Sequence, residues 1–395
     1  MKPRTPVLLL GGLNVVRALG LAGIPVLIGA HDGRKPSMAS RYCRGVIELP
    51  PIANREAMVE ALVRTGRRLA QEHGGPIPLF YDNDDRLALV QDYREELSPW
   101  FSLLLNEREL GEALLDKARF QEFAERAGLP VPRRIAFDAL EAETGPVLVK
   151  PKTRTGWEDS SVRVRLFGGD GKARIFASGR EARAHPLVQQ LAAQLSIQEY
   201  VPGGDEAIWS FHGFAAPGGD VMEWFVGRKI RTFPKLTGDS SFLRLESNPA
   251  LVELGRDIAA RLGIAGIFKM DFKRANGRFY LFEINTRYNL WHYLGAAAGV
   301  NLTRVAYDYL LHGVRPQHVE PRLDLRYLCL EYDWPAFREL RRAGELGWWG
   351  WLWSIAAAPK VYDVFAWNDP LPLLDQITRR MLRRVRRKIA WQYSA

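Results

Sequence analysis

Two acidic side chains and an amide recur at strand spacing in the stretch from Ile267 to Asn289, which reads IFKMDFKRANGRFYLFEINTRYN. Two runs of alternating residues flank Asn276-Gly277, the signature of a β-hairpin. In the first run Lys269, Asp271 and Lys273 share a face, and Phe268, Met270 and Phe272 point the other way. In the second, strict alternation sets Phe279, Leu281, Glu283 and Asn285 against Tyr280, Phe282 and Ile284. A carboxylate inside a sheet is costly unless a cation or strong donors compensate it, and two carboxylates with an amide oxygen form a hard-oxygen set suited to Mg²⁺. Asp271 and Glu283 share a metal only from one face. A two-residue turn at Asn276-Gly277 would pair Asp271 with Phe282 and send Glu283 to the far side. The expectation is therefore an odd-length loop, most simply three residues with a Gly bulge.

Elements on either side supply cations. Pro146 to Pro151 is an apolar strand that carries Lys150, and a lysine projecting from a buried strand calls for an anion such as phosphate. The helical pattern from Asn106 to Leu129 contains Lys117, and the polar segment from Lys152 to Ser161 reads as a loop over the site. Ser196 to Val201 and Ala207 to Gly213 read as strands joined by the turn Pro202 to Glu206. Residues 221–231 continue the sheet and end in Gly227-Arg228-Lys229-Ile230-Arg231, either an anion-binding edge or edge protection against aggregation. An amphipathic helix over 249–263 delivers the chain to the hairpin. Nearer the N-terminus, strand Val7 to Leu10, the tight turn Gly11-Gly12, a helix and strand Pro25 to Gly29 begin a parallel α/β sheet. Strand Pro78 to Tyr81 ends in Asp82-Asn83-Asp84-Asp85, where such a sheet presents a ligand crevice, although helix capping accounts for at least Asp84 or Asp85.

A chain of 395 residues with 47% hydrophobic residues has room for two or three domains. Its formal charge of +10 lies mostly in one place: residues 376–395 hold seven Lys or Arg and no acid, leaving +3 (10 minus 7) for the rest. Cys43 and Cys329 offer neither a disulfide framework nor a metal spacing, which fits a reducing cytoplasm. Asn14 and Arg17 interrupt the first apolar run and argue against a secretion signal. Leu346 to Pro359 packs four tryptophans into six residues. Beyond it, Leu374, Ile377, Met381, Val385 and Ile389 recur at helical spacing among arginines, a basic amphipathic helix. This combination suits an anionic membrane surface through 346–391; the alternative is a helix packed on its own protein with a solvated face. Nucleic acid suits it less, since no recognition module accompanies the charge. A homo-oligomer is compatible with the composition.

Taken in order, residues 1–315 resemble the ATP-grasp superfamily, in particular its carboxylate–amine ligases. In that resemblance Lys117 and Lys150 hold ATP phosphates, the hinge Glu199, Tyr200 and Val201 binds adenine, and Glu206 takes the ribose hydroxyls. Asp271, Glu283 and Asn285 match the family's metal residues, and Arg287 an arginine that contacts phosphate or the developing oxyanion, a role Lys269 could share. The segment containing Lys229 is similar to one recurring in an uncharacterised branch, which adds Lys229 to the nucleotide-binding set. The loop departs from the family's Gly- and Ser-rich pattern through Trp157, Glu158 and Asp159. The implied fold is α/β: a Rossmann-like parallel domain over 1–105, ATP-grasp subdomains with antiparallel sheets over 106–195 and 196–318, and a helical extension over 319–395. The implied activity uses ATP and Mg²⁺, two ions with Mn²⁺ as a substitute, to activate a small-molecule or lipid-linked carboxylate as an acyl phosphate for attack by an amine. The cysteines and the tail, rather than the resemblance, suggest a location that is cytoplasmic and peripheral to the inner face of the membrane. A catalytically silent ATP-binding scaffold at a membrane is the alternative. Tyr288, Asn289, Trp291, His292 and Tyr293 would wall the acceptor pocket, with His292 read as structural rather than as the base.

Overall fold

The computed structural model describes residues 4–31, 35–152, 160–167, 173–236 and 238–392, without the side chains of residues 117–118, 160–163 and 383–392. Two compact units divide the chain. The first holds residues 1–104, 287–319 and 361–395, the second residues 105–286 and 320–360.

The first unit is built on strands β1 (Val7–Leu10), β2 (Val26–Ala30), β3 (Cys43–Glu48), β4 (Ile77–Tyr81) and β5 (Phe101–Ser102), in the order β3-β2-β1-β4-β5. Every pairing is parallel. Val7 to Leu10 are all buried, as apolar runs in a parallel sheet must be. The order reverses between β1 and β4, so the crevice beyond their carboxyl ends is the place where such a sheet binds ligands. There the Gly12 N–H donates to Asp82 Oδ2 at 2.6 Å. A Cβ on Gly11 would come within 3.1 Å of the Asp82 carboxyl carbon and 2.8 Å of Leu9, so the turn admits no side chain without a shift. Asn83 caps the next helix by accepting from the Arg86 N–H.

The buried Arg17 ties the far end of the chain to this unit. Its Nε donates to Asp369 Oδ2 at 3.0 Å, Nη1 to the carbonyls of Tyr362 and Asp363, and Nη2 to those of Val364 and Asp369. Those five acceptors match the five N–H groups of a guanidinium. The last helix, Leu371–Gln392, leaves Leu374, Ile377 and Met381 exposed. Among the described residues, no helix is long and apolar enough to cross a membrane.

The second unit contains two sheets. β6 (Val147–Pro151), β7 (Arg174–Phe176) and β8 (Leu195–Glu199) form a three-stranded antiparallel sheet in the order β7-β6-β8. The larger sheet comprises β9 (Ile208–Ala216), β10 (Asp220–Phe233), β11 (Asp239–Leu245), β12 (Gly266–Ala275), β13 (Arg278–Asn285), β14 (Arg326–Leu328) and β15 (Lys360–Tyr362). Its order is β13-β12-β9-β10-β11-β14-β15, antiparallel at each pairing from β13 to β14. The helix Pro249–Leu262, capped by Asn248, packs Leu251, Ile258 and Ala259 on one face against Phe211, Phe268, Met270 and Phe272. Burying that face commits the other to Lys269, Asp271 and Lys273.

The hairpin corrects one expectation. Ala275 pairs with Arg278, so Asn276-Gly277 is a two-residue turn with φ of 50° and 76°, not an odd-length loop. The odd residue lies instead within the strand: Asp271 pairs with Glu283 and Phe272 with Leu281, leaving Phe282 as a bulge. The bulge also breaks the alternation expected of β13. Leu281 and Ile284 both join the core, whereas Glu283 and Asn285 stand opposite Asp271 and Lys269. The carboxylates share a face by a different device from the one foreseen.

A second correction concerns Gly227 to Arg231, read as a strand end. They lie within β10, with β11 alongside all but Ile230 and β9 pairing Gly227 and Arg228, so they guard no free edge. Arg231 is buried and grips Asp333 with two hydrogen bonds of 2.8 and 2.9 Å.

Candidate active site

Across the polar face of the large sheet, hydrogen-bonded neighbours set up two parallel rows. Glu283, Asp271, Ser210 and Gly227 form one; Asn285, Lys269, His212 and Phe225 form the next. Directly opposed side chains start about 5 Å apart at Cβ, close enough to share a cation. Asn285 Nδ2 already donates to Glu283 Oε1 at 3.0 Å, which aligns the amide oxygen and the carboxylate on one edge of the site. Among the described residues, no three His, Cys, Asp or Glu side chains gather as a metal cluster, so the donor set is two carboxylates and an amide.

Asp271 is the buried centre of this face. Its Oδ2 receives the Lys269 ammonium at 2.7 Å and its Oδ1 the Ser210 hydroxyl. Burial alone would raise its pKa. The charges of Lys269 and Lys229 and the hydrogen bonds from Lys269 and Ser210 outweigh burial and hold it at about 2. The residue is thus a fixed anion. Lys229 lies near enough to act on it, which brings a cation from β10 to the hairpin.

The residues expected to bind nucleotide lie on other elements of the same unit. Val149 and Lys150 of β6 pair with Ile197 and Ser196 of β8, placing Lys150 beside the strand that leads into Glu199, Tyr200 and Val201. Glu199 Oε1 accepts the Arg133 N–H at 3.0 Å, the Tyr200 N–H donates to the Pro146 carbonyl at 3.1 Å, and Val201 is buried. Glu206 is exposed on a short 3₁₀ turn; the Arg228 Nε donates to its carbonyl. Buried Asp205 holds that turn by accepting from the Thr232 N–H at 2.7 Å and the Leu236 N–H at 2.8 Å. Lys117 opens the helix Lys117–Arg126, but its side chain lies outside the described residues, as does the loop segment Thr153 to Asp159.

Lys273 joins the two ends and was not singled out for a site role. Its ammonium stands 5.0 Å from the centre of the Tyr200 ring. Burial lowers its pKa, and the neighbouring Asp205 and Glu206 oppose that shift. The alternation that places Lys273 with Lys269 and Asp271 was the signal available for it. Ser210 carried no comparable signal, since its partner arrives only by strand pairing.

Arg287 belongs to the first unit. There its Nη2 meets Asp84 Oδ2 at 3.3 Å, its Nε meets Asp84 Oδ1, and Nη1 reaches the Asp82 carbonyl. His292 is buried, with Nδ1 at 3.0 Å from both the N–H and the carbonyl of Asn289 and its ring beside Tyr288. That is the packing of a structural histidine.

Comparison with known proteins places this architecture. A family model described as ATP-grasp in the biosynthetic pathway with Ter operon matches residues 219–332, which include β10 to β13. The chain is 22% identical over 294 residues to a D-aspartate ligase of Enterococcus faecium, covering 70% of this chain and 68% of that one. Among solved structures, the biotin carboxylase of Campylobacter jejuni superposes with a TM-score of 0.59 at 14% identity, over 82% of this chain and 74% of the other. The L-amino acid ligase of Bacillus licheniformis superposes at 0.56 and 14% identity, over 79% and 75%. The chain thus shares its fold with these solved structures, and the part that carries the two opposed carboxylates and the adjacent amide is the part that matches the ATP-grasp model.

Proposed function

We propose that this protein uses ATP to activate a substrate carboxylate as an acyl phosphate and passes the acyl group to an amine, forming an amide and releasing ADP and phosphate. The observation that carries this reading is the pairing of Asp271 with Glu283 across the Phe282 bulge, beside Asn285 and Lys269. Asp271, Glu283 and Asn285 are hard-oxygen donors with a permanent anion among them, and they fit Mg²⁺. Bound there, Mg²⁺ would neutralise phosphate charge and polarise the γ-phosphoryl group, as a pair of ions or with Mn²⁺ in its place.

The chain's own residues do the rest. Glu199, Tyr200 and Val201 seat the base, Glu206 the ribose, and Lys117, Lys150 and Lys229 the phosphates. Lys269, whose ammonium meets Asp271 Oδ2, would stabilise the negative charge that develops on the carbonyl oxygen under attack, a role the resemblance also gives to Arg287. The chemistry requires no protein nucleophile. The similarity to a D-aspartate ligase and an L-amino acid ligase makes amino acids the first substrates to try. Free Cys43 and Cys329 support a reducing cytoplasm, and the exposed stripe Leu374, Ile377 and Met381 on the basic last helix supports attachment to an anionic membrane.

The test is ADP release with pools of amino acids, wild type against Glu283→Gln. Loss of at least a hundredfold in turnover is expected for removing a metal carboxylate, on the order of 3 kcal/mol. Turnover unaffected by the change would refute the metal assignment, and ATP binding without any turnover would leave the scaffold reading.

A further inference from the structure

The helical extension of the second unit carries a site that the ligase chemistry does not use. Helix Leu330–Arg342 and helix Trp348–Ala356 border an open pocket of about 340 Å³ lined by Trp334, Phe337, Trp348, Arg338, Arg341 and Arg342. Its aromatic wall is tightly built. Phe337 lies 4.8 Å from Trp348 and is stacked at 4.7 Å on Trp351, whose indole N–H donates to the buried Asp333 at 2.9 Å. Asp333 in turn holds Arg231, so the wall is anchored to β10 rather than floating on the surface.

Charge is the second observation. Arg338, Arg341 and Arg342 sit at i, i+3 and i+4 on one helix, exposed. Among the described residues none of the three has a carboxylate partner, and only Arg341 has a ring contact, over Trp348 at 4.7 Å. The nearby acids are spoken for: Glu339 accepts the Lys235 N–H at 3.1 Å, and Glu345 takes the Lys235 ammonium at 2.5 and 2.6 Å. A helix C-terminus favours cations in its last turn, which covers Arg341 and Arg342 but gives no reason for the aromatic pocket or for Arg338. On the second helix Trp349 and Trp353, one turn apart, are 85% and 73% exposed, with Leu352 beside them.

We infer that these two helices form a docking surface for an anionic lipid bilayer, with Trp349, Leu352 and Trp353 entering the interface and Arg338, Arg341 and Arg342 holding lipid phosphates over the aromatic pocket. Indole rings settle at the headgroup level because one edge is polar and the body apolar. Unneutralised guanidinium groups bind phosphate oxygens in pairs. A second copy of this chain is the wrong occupant, since it would bring the same three cations against these. The inference deepens the membrane attachment proposed above and takes from it only the partner, not the ligase chemistry; it moves part of the contact from the last helix to this pocket.

The test is flotation of the full-length protein with vesicles of phosphatidylcholine alone and of phosphatidylcholine with phosphatidylglycerol. Three proteins are compared: wild type, Arg338→Gln/Arg341→Gln/Arg342→Gln, and Leu374→Ser/Ile377→Ser/Met381→Ser. Wild type is expected to float only with the anionic vesicles. The arginine variant should bind roughly a hundredfold more weakly, three cations each contributing about 1 kcal/mol at such a surface. Bromine on the lipid chains should quench tryptophan fluorescence in wild type and less in Trp349→Ala/Trp353→Ala. Undiminished binding of the arginine variant with loss in the last-helix variant would overturn the pocket and leave membrane attachment standing. No binding by wild type would overturn both. Release of wild type by soluble glycerol phosphate would make this a site for free phosphate esters and overturn the bilayer assignment.

Discussion

Replacing Asp271 by Asn removes one charge and almost no volume, which makes it a clean probe of the polar face. The folded carboxyl titrates at about 2 against an ordinary 3.8. A depressed carboxyl stabilises the fold fully above the unfolded value and loses that contribution as the pH falls through about 2. The difference corresponds to about 2–3 kcal/mol, and burial means that solvent screening does not discount it. The Asn variant also leaves Lys269 and Lys229 without the anion between them. At pH 7 it should therefore be less stable by about 2–3 kcal/mol, and the gap from wild type should narrow below pH 4 and nearly close by about pH 2. Amide hydrogen exchange of β9 and β12, corrected for intrinsic rates at each pH, reads this locally in a protein with two units. A gap that stays constant from pH 7 to pH 2.5 would show that the carboxylate is not held by its cations, and the account of the site would fail with it.

Changes at three further places test the scaffold. Deleting Phe282 removes the bulged residue while leaving Leu281 opposite Phe272 and Glu283 opposite Asp271, so Mg²⁺-dependent ADP release should persist; its loss in a folded variant would deny that the bulge only sets the faces. Asn276 has φ of 50°, so Asn276→Gly should be tolerated, whereas Asn276→Val should lower hairpin stability by roughly 1–2 kcal/mol, measured by denaturant unfolding. Asp369→Ala strands the buried Arg17 and takes acceptors from the Ser40 hydroxyl and the Arg41 N–H, an expected cost of about 3–5 kcal/mol seen as an earlier denaturation midpoint. Adding Arg17→Met to it should recover much of that loss.

The chemistry of the hairpin was legible because period-two patterning is local: Lys269, Asp271 and Lys273 announce a polar face without reference to any other strand. The bulge was not, since it depends on which residues reach the core once the helix Pro249–Leu262 packs. Leu281 and Ile284, three apart and both apolar, were the trace it left. The parallel sheet of the first unit could be read from its buried runs and Gly turn. The placement of Gly227 to Arg231 within the sheet could not, because the pairing of β10 with β11 and β9 is a tertiary fact. Arg231 looked like one more surface cation until Asp333 arrived from another part of the chain. Lys273 over Tyr200 is of the same kind: each residue was noticed, but their meeting depends on the route of the chain between β8 and β12.

The tether at Arg17 sets an order of events during synthesis. Arg17 leaves the ribosome early, and its carboxylate partner follows 352 residues later. At about 5–20 residues per second that interval is roughly 20–70 s. Through nearly all of it the guanidinium destined for a dry interior has none of its five acceptors, and by its end residues 105–286 and 320–360 are complete and can close around their own core. The unit begun first is finished last, and a nascent chain stalled before Asp369 would carry every residue of the second unit while the Arg17 guanidinium of the first still lacked its carboxylate.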